Sequence, residues 1–428
     1  MSCRMTALFA CVLAICIASA ATPARAETVS VGLFFGAAAP SSITFSGQGD
    51  WEAHGSHCRF DGAYTVMVKG RDLAVAKSGE RPTRVGRWLN LAPARPDSYL
   101  TLGDTAYRGL LKLDVQPTGG IRVVNTVDME SYLQGVVPNE MFSIPQALEA
   151  LEVQAVVSRT LVMFIKSTQP RHPGAGFDVC NTGHCQVYRG ASSETAWGND
   201  AVQRTRGQVL TYQGKVILAA YIPNAGGHTA STDEAWPGSL RVKYLAPVAS
   251  PYDDYAAALQ YGDCYQWKEL VQPGQIRERV RQTTGERLGE VRDLVAIRSE
   301  SGRIKELRVA GSGKVVKITG PRDIRFVLGL LHEVTGKPYD HDTRLVSIQK
   351  APQGFVISGY GAGEGVGLSQ HGAVGMASAK FGYREILGHY YRGVSLAENY
   401  GAGQSVALRA PDMKPRQPAT AKAIAARN

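Results

Sequence analysis

Between Glu27 and about Gly119, short β-branched or aromatic runs such as "AYTVMVKG" and "SYLTLGD" alternate with Gly, Pro, Ser and Asp. That alternation predicts a β-rich N-terminal lobe over 27–119, built of small antiparallel sheet. After the turn pair Gly119-Gly120 comes one more strand, "IRVVNTV", and then a helical pattern from Asp128 to Val137 that Pro138 is expected to end. A corner, "VVPNEM", comes next and carries Glu140. Ser143-Ile144-Pro145-Gln146 then reads as a capping box with proline in the first turn, starting a helix that runs to about Lys166. Its apolar stripe is Leu148, Leu151, Ala155 and Val162, and Arg159 falls on the same face. A guanidinium there either reaches out along its stem or needs a carboxylate or a bound substrate as partner.

Farther on, "GQVLTY" and "KVILAAYIP" predict a hairpin around Gln213-Gly214, followed by a glycine corner, "NAGGHT". A segment at about 265–350 reads as an inserted α/β unit. It has a helix over Gln275 to Thr284, strand pairs around Ser301-Gly302 and Gly311 to Gly313, and a short helix at "RDIRFVLGL". Glycines crowd Gly359 to Gly393, which ends in two helical pieces. The Pro, Ala, Lys and Arg of 406–428 predict a disordered basic tail. No internal repeat is evident, and the fold class expected is α+β, with a groove between lobes.

Composition places the chain among ordinary globular proteins, at 44% hydrophobic and 20% charged. Residues 1–26 stand apart: Arg4, an apolar run from Ala7 to Ala18, and small residues ending Ala24-Arg25-Ala26 form the three-part pattern of a secretory signal. A run of about 12 residues is too short to anchor a chain across a bilayer. The protein is therefore expected to be exported to the periplasm or cell envelope, with no transmembrane anchor. Removing Arg4 and Arg25 lowers the formal charge from +10 to +8. An exported, mildly basic protein suits an anionic wall polymer, and export argues against nucleic acid as a partner. Cys58, Cys180, Cys185 and Cys264 remain in the exported chain. Four thiols in an oxidising compartment imply disulfides, with Cys58–Cys264 one pairing. The crowding of Cys180, His184 and Cys185, with His172 upstream, fits zinc as well. His54 and His57 beside Cys58 form a fainter metal pattern.

Five stretches, "YLQGVVPNEM", "ALEVQAVVSRT", "FDVCNTGHCQVYRG", "AVQRTRGQVLTYQGKVILAAYIPNAGGHT" and "GVGLSQHGAVGMA", occur in the order seen in the stage II sporulation protein D (SpoIID/LytB-like) family, which the chain resembles from about Ile121 to Leu396. The resemblance makes 120–405 a SpoIID-like catalytic region. It implies an exported lytic transglycosylase that cleaves peptidoglycan glycan strands, favouring strands stripped of stem peptides and leaving 1,6-anhydro-N-acetylmuramic acid ends. The other reading is a non-catalytic wall-binding protein that stimulates an amidase. The family's catalytic acid maps onto Glu140. One carboxyl suffices for that chemistry, because the sugar's own 6-hydroxyl attacks C1 and no second carboxylate is needed to activate water.

On the same resemblance Arg159 orients that carboxyl or the substrate, and Gln186, Tyr188, Tyr221, His228, Ser369 and Gln370 are candidates to line the glycan groove. Gly226 and Gly227 read either as part of that lining or as a tight turn, and Tyr188 as a core residue with a bonded hydroxyl. Cys180, His184, Cys185 and His172 are the implied zinc ligands, with structural zinc set against a Cys180–Cys185 disulfide and no cofactor required for catalysis. The late glycine stretch contains neither dinucleotide nor P-loop spacing, which excludes a nucleotide site there. It departs from the family pattern at Glu364, Leu368 and His371, where the family has histidine, methionine and tyrosine. Glu364 and His371 are nevertheless expected to face the cleft.

Overall fold

The computed structural model describes residues 27–53, 56–143, 147–255, 262–337 and 339–411. The expected secretory leader at 1–26, His54 and most of the expected basic tail lie outside these. Ten strands lead the chain: β1 (Thr28–Phe34), β2 (Ser42–Ala53), β3 (Ser56–Lys69), β4 (Asp72–Lys77), β5 (Thr83–Gly86), β6 (Trp88–Pro93), β7 (Leu100–Leu102), β8 (Thr105–Tyr107), β9 (Leu110–Val115) and β10 (Ile121–Asp128). With β11 (Val179–Cys180) they form one sheet, ordered β11-β1-β10-β9-β6-β2-β3-β4-β5, with β7 and β8 branching from β2. Alternation contributes to it: Val29, Val31 and Leu33 of β1 and Ile121, Val123 and Val127 of β10 are buried, while Ser30, Arg122 and Thr126 between them are more open. β10 antiparallel to β1 and β11 parallel to it place the N-terminal strand between two later ones. The N-terminal lobe and the family-like region after it therefore share a sheet and one hydrophobic core, which runs from Val29 to Leu408.

Asp128 caps α1 (Met129–Gln134), its carboxylate accepting the Ser131 N–H at 3.1 Å. Pro138 does not end this helix. It sits in the first turn of a second short one, α2 (Val137–Glu140), where its missing N–H costs nothing, and Glu140 is that helix's last residue. The expected capping box at 144–146 lies outside the described residues. The long helix α3 is Leu148–Ser167. Its burial is wider than the stripe implies, since Glu152, Gln154, Ser158 and Thr160 are buried along with the aliphatics. The reason is neighbours on all sides: α1, α2, α4 (Ala196–Arg204) and the helices Gln370–Ser378 and Tyr383–Tyr390 all pack on it.

The expected hairpin is cut short. β12 (Val209–Tyr212) pairs with β13 (Lys215–Val216), but the chain then leaves, and β14 (Tyr221–Ile222) pairs in parallel with β21 (Leu368–Ser369) far along the sequence. Between those partners lies the insert, with its own hydrophobic core from Trp267 to Ile357. It comprises two three-stranded sheets. One has the order β15 (Gln266–Val271), β20 (Gly354–Ala362), β19 (His341–Ala351), and the other runs β16 (Val291–Arg298), β17 (Ile304–Gly311), β18 (Val315–Thr319). Helices Pro273–Thr284 and Pro321–Leu328 and the short helix His332–Thr335 belong to it as well. β22 (Ser395–Ala397) pairs with β12 and with β23 (Ser405–Ala407), so the segment after residue 405 begins as ordered strand. Residues 412–428 lie outside the described part. Cys58 is exposed on β3 whereas Cys264 is buried against the insert, and no disulfide joins them.

Arg159 is fully buried, and its partner is Glu130 of α1. The guanidinium is bidentate, with Nε to Oε1 at 3.0 Å and Nη2 to Oε2 at 2.5 Å, and it also donates to the Gln208 carbonyl at 3.1 Å. Glu130 Oε1 accepts in addition the Gly207 N–H at 3.2 Å and the Tyr400 hydroxyl at 2.9 Å. Arg159 thus touches neither Glu140 nor the space where a substrate could lie. Removing the cation alone strands a buried carboxylate, so Arg159→Met is expected to cost about 3–5 kcal/mol, with much of that recovered in the Arg159→Met/Glu130→Met pair. Denaturant unfolding of both variants checks this.

Candidate functional site

Glu140 opens into a cavity of about 770 Å³ whose walls include Tyr221, Trp236, Pro223, Gln370, Arg171 and Glu364. The carboxyl is half-buried, and its Oε1 accepts the Val187 N–H at 2.6 Å. Burial raises its pKa above the usual glutamate value, against the opposing pull of the Val187 N–H, the Tyr221 phenol, the Gln370 amide and the Arg189 charge. The result is a carboxyl that holds its proton more tightly than a surface glutamate while remaining reachable from the cavity.

Its neighbours are fixed from both sides. Tyr221 stands on β14, and its hydroxyl accepts from Gln186 Nε2 at 3.5 Å, while Gln186 Oε1 accepts from the Tyr132 hydroxyl at 3.1 Å. Burial, then the Glu140 charge, holds the Tyr221 phenol well above its ordinary pKa, so it remains a neutral donor. Gln370 comes directly after β21, and its Nε2 donates to the Glu140 carbonyl at 2.6 Å and to Gln154 Oε1 at 3.3 Å. The β14–β21 pairing is what brings these two side chains to one carboxyl across about 150 residues of sequence.

Of the residues expected to line the groove, Tyr221 and Gln370 do so. Gln186 is fully buried behind Tyr221. Tyr188 is a core residue whose hydroxyl donates to Asn125 at 2.8 Å. Ser369 is buried, donates to Asp253 at 2.5 Å and caps the helix Gln370–Ser378. His228 borders a second cavity instead. Gly226 and Gly227 both have positive φ, and a Cβ on Gly226 would meet the Tyr360 carbonyl carbon at 2.8 Å, so they serve the turn. Glu364 does face the cavity, accepting the Trp236 indole N–H at 2.5 Å and pairing with Arg325 at 3.4 Å. His371 does not: it is buried against Phe142, with Nδ1 2.7 Å from the Pro223 carbonyl, and burial lowers its pKa. Sequence reasoning misses the Val187 N–H and Trp236. A backbone donor leaves no mark in sequence, and Trp236 stands in a loop without periodicity.

His172, Cys180, His184 and Cys185 bring one ligand atom each within 4.8 Å of one another. Cys185 Sγ lies 3.3 Å from His172 Nε2 and 3.6 Å from His184 Nδ1, and Cys180 Sγ lies 3.7 Å from His184 Nδ1. Zinc–sulfur and zinc–nitrogen bonds of about 2.3 and 2.0 Å give tetrahedral edges of about 3.3–3.8 Å, so these three spacings fit. The two cysteines are not joined in a disulfide. Cys180 is held by β11 in the large sheet, and a hydrogen bond from Cys185 is the chief cause that holds its thiol pKa below the ordinary cysteine value. Gly32 makes room for the loop, since a Cβ there would strike the Phe177 ring that packs on His172. His184 and Cys185 also border the Glu140 cavity.

The model for the stage II sporulation protein family matches residues 117–212, which takes in Glu140, Arg159 and the thiol–imidazole cluster. A second model, for a domain of unknown function (DUF8618), matches 253–367, the insert. An uncharacterized protein of Brachyspira hyodysenteriae is 32% identical over 78% of this chain and 82% of its own length. Stage II sporulation protein D of Bacillus amyloliquefaciens is 28% identical over 64% of this chain and 76% of its own. The amidase enhancer of Bacillus subtilis is 29% identical over 62% of this chain and 40% of its own. The chain belongs to the stage II sporulation protein D family. The stretch matched by the second model ends at Gly367, and its last residues carry Glu364 into the Glu140 cavity.

The raised pKa of Glu140 has a sign. The native state holds that proton more tightly than the unfolded chain, so the stability it contributes is complete below the unfolded value of 4.5 and is lost as pH rises through the higher folded value. Glu140→Gln is therefore expected to gain stability relative to the parent as pH climbs upward from 4.5, read as the difference in denaturant midpoint between pH 4 and pH 8. A pH-independent difference would mean the carboxyl titrates as a surface group does.

Proposed function

We propose that this is an exported cell-wall enzyme that cuts peptidoglycan glycan strands as a lytic transglycosylase, with Glu140 as its acid and base. The observation that carries this reading is a half-buried carboxyl with a raised pKa, steadied by the Val187 N–H and facing a cavity large enough for sugar rings. Glu140 donates its proton to the glycosidic oxygen as the C1–O bond breaks. The 6-hydroxyl of the same sugar forms the new C1–O6 bond, and its proton returns to Glu140, so no water enters the product. Among the described residues Glu364 is the other carboxylate at this cavity, and it is engaged by the Trp236 indole N–H and the Arg325 guanidinium. Trp236 and Tyr221 offer aromatic faces and polar tips suited to a sugar. On this reading Glu140→Gln loses about 10²–10⁴ of the turnover, with 1,6-anhydro ends, scored by mass spectrometry, vanishing in step.

A second reading is favoured by the relative named amidase enhancer. In it the same cavity grips the strand and the protein stimulates a cell-wall amidase. Parent protein that binds strands and accelerates an amidase while producing no new ends would establish it.

His172, Cys180, His184 and Cys185 would hold one structural zinc ion, which supplies no chemistry to the reaction and ties the 172–185 loop together. The loop runs directly into Gln186 and Val187, the residues that address Tyr221 and Glu140. Elemental analysis is expected to find about one zinc per chain, lost in Cys180→Ser. The same variant should lower turnover through misplacement of the Val187 donor. Metal-free parent protein with full turnover would separate the ion from the site.

A further inference from the structure

Beside the Glu140 cavity lies another, of about 650 Å³, between the family core and the insert. The two share Glu364 in their walls. Their chemistry differs. The first carries Tyr221 and Trp236, as a sugar site does, whereas among the described residues no Phe, Tyr or Trp lines the second. Its core side presents Asp233, Glu234 and Arg241, and its insert side Glu300, Lys305 and Arg325. Both signs of charge face one space, and several are exposed: Arg241 is 59% and Asp233 44% exposed, and they stand 4.0 Å apart, too far for a firm pair. Neutral sugars gain little from such walls. A ligand carrying carboxylates and an amino group gains from the exposed Arg241, Lys305, Asp233 and Glu300.

The floor is rigid. Arg303 of the insert is buried and bidentate to Asp342, and its Nη2 also donates to the core carbonyls of Ala225 at 3.2 Å and His228 at 3.0 Å. Glu234 of the core accepts from the Ser299 and Ser301 hydroxyls of the insert. These bonds clamp the two bodies around the space and leave the rim charges of Arg241, Lys305, Asp233 and Glu300 to solvent.

We propose that this second cavity binds the peptide branch of the wall polymer, a short peptide with carboxylates and a free amine, while the glycan strand to which it is attached lies against Glu140. The inference rests on the Glu140 cavity being the glycan site. It departs from the expectation of stripped strands: the cavity beside the insert would hold strands that still carry peptides, with Glu364 at the junction of sugar and peptide.

The test measures binding without turnover, in the Glu140→Gln chain, by calorimetry. The probes are a wall disaccharide bearing its peptide, the same disaccharide with the peptide removed, and the free peptide. The peptide-bearing probe should bind roughly five- to ten-fold more tightly than the bare one at low salt, and the advantage should shrink as salt rises. Arg241→Ala with Lys305→Ala should erase it and leave the bare disaccharide's affinity unchanged. Equal affinities for the two disaccharides, or an advantage that survives both substitutions, overturns the proposal. Binding of the free peptide that is sensitive to the two substitutions, with no binding of either disaccharide above it, upholds the peptide cavity and sinks the glycan reading instead.

Discussion

The Arg159–Glu130 pair is the constraint on which the arrangement around Glu140 depends. A guanidinium at zero exposure is tolerable only because its donors are directed at a carboxylate and backbone carbonyls, and the carboxylate is satisfied in turn by Gly207 and Tyr400. Four parts of the chain are thereby held in one register: α1, α3, the turn after α4 and the loop before β23. Since α2 begins only three residues after α1 ends, the angle at which Glu140 is offered to the cavity is inherited from where this pair places α1. Such a network contributes less to net stability than its bonds suggest, but it admits few alternative packings.

Around Glu140 two opposed effects are balanced. Loss of water favours the neutral carboxyl, and the donors at Val187, Tyr221 and Gln370 favour the ion. On the proposed reading, an acid that gives up a proton and takes it back within one catalytic cycle needs both states within reach. Complete burial would lock the proton on, and a fuller set of donors would strip it off. The donors come from three places distant in sequence, so the balance is a tertiary property and the α2 corner alone does not have it.

Legible in the sequence is what local pattern controls: the α+β class, the helix starting near α3, the strand pairs of the insert, the two helices after the glycine run and the carboxyl at the proline corner. Helical spacing puts Arg159 on a buried face correctly, yet it cannot name the partner, because Glu130 lies on another helix and spacing says nothing across elements. Tyr188, Gln186 and Ser369 sit in motif stretches and prove to be buried supports, since a motif marks sites of constraint without separating lining from scaffold. His371 is buried where the motif implies a place in the cleft, because the helix Gln370–Ser378 turns that side chain toward Phe142 and Pro223. The break between β13 and β14 is hidden because "KVILAAYIP" reads equally well as one strand or as two.

The parallel pairing of β14 with β21 has an architectural consequence. It closes the gap in the core from which the insert departs and to which it returns, so the chain leaves and re-enters through adjacent doorways. A module mounted in this way can be enlarged, remodelled or exchanged over generations without rerouting the scaffold. The price of that freedom falls on the seam, where Arg303 and Glu364 are among the residues that must continue to match the face they meet.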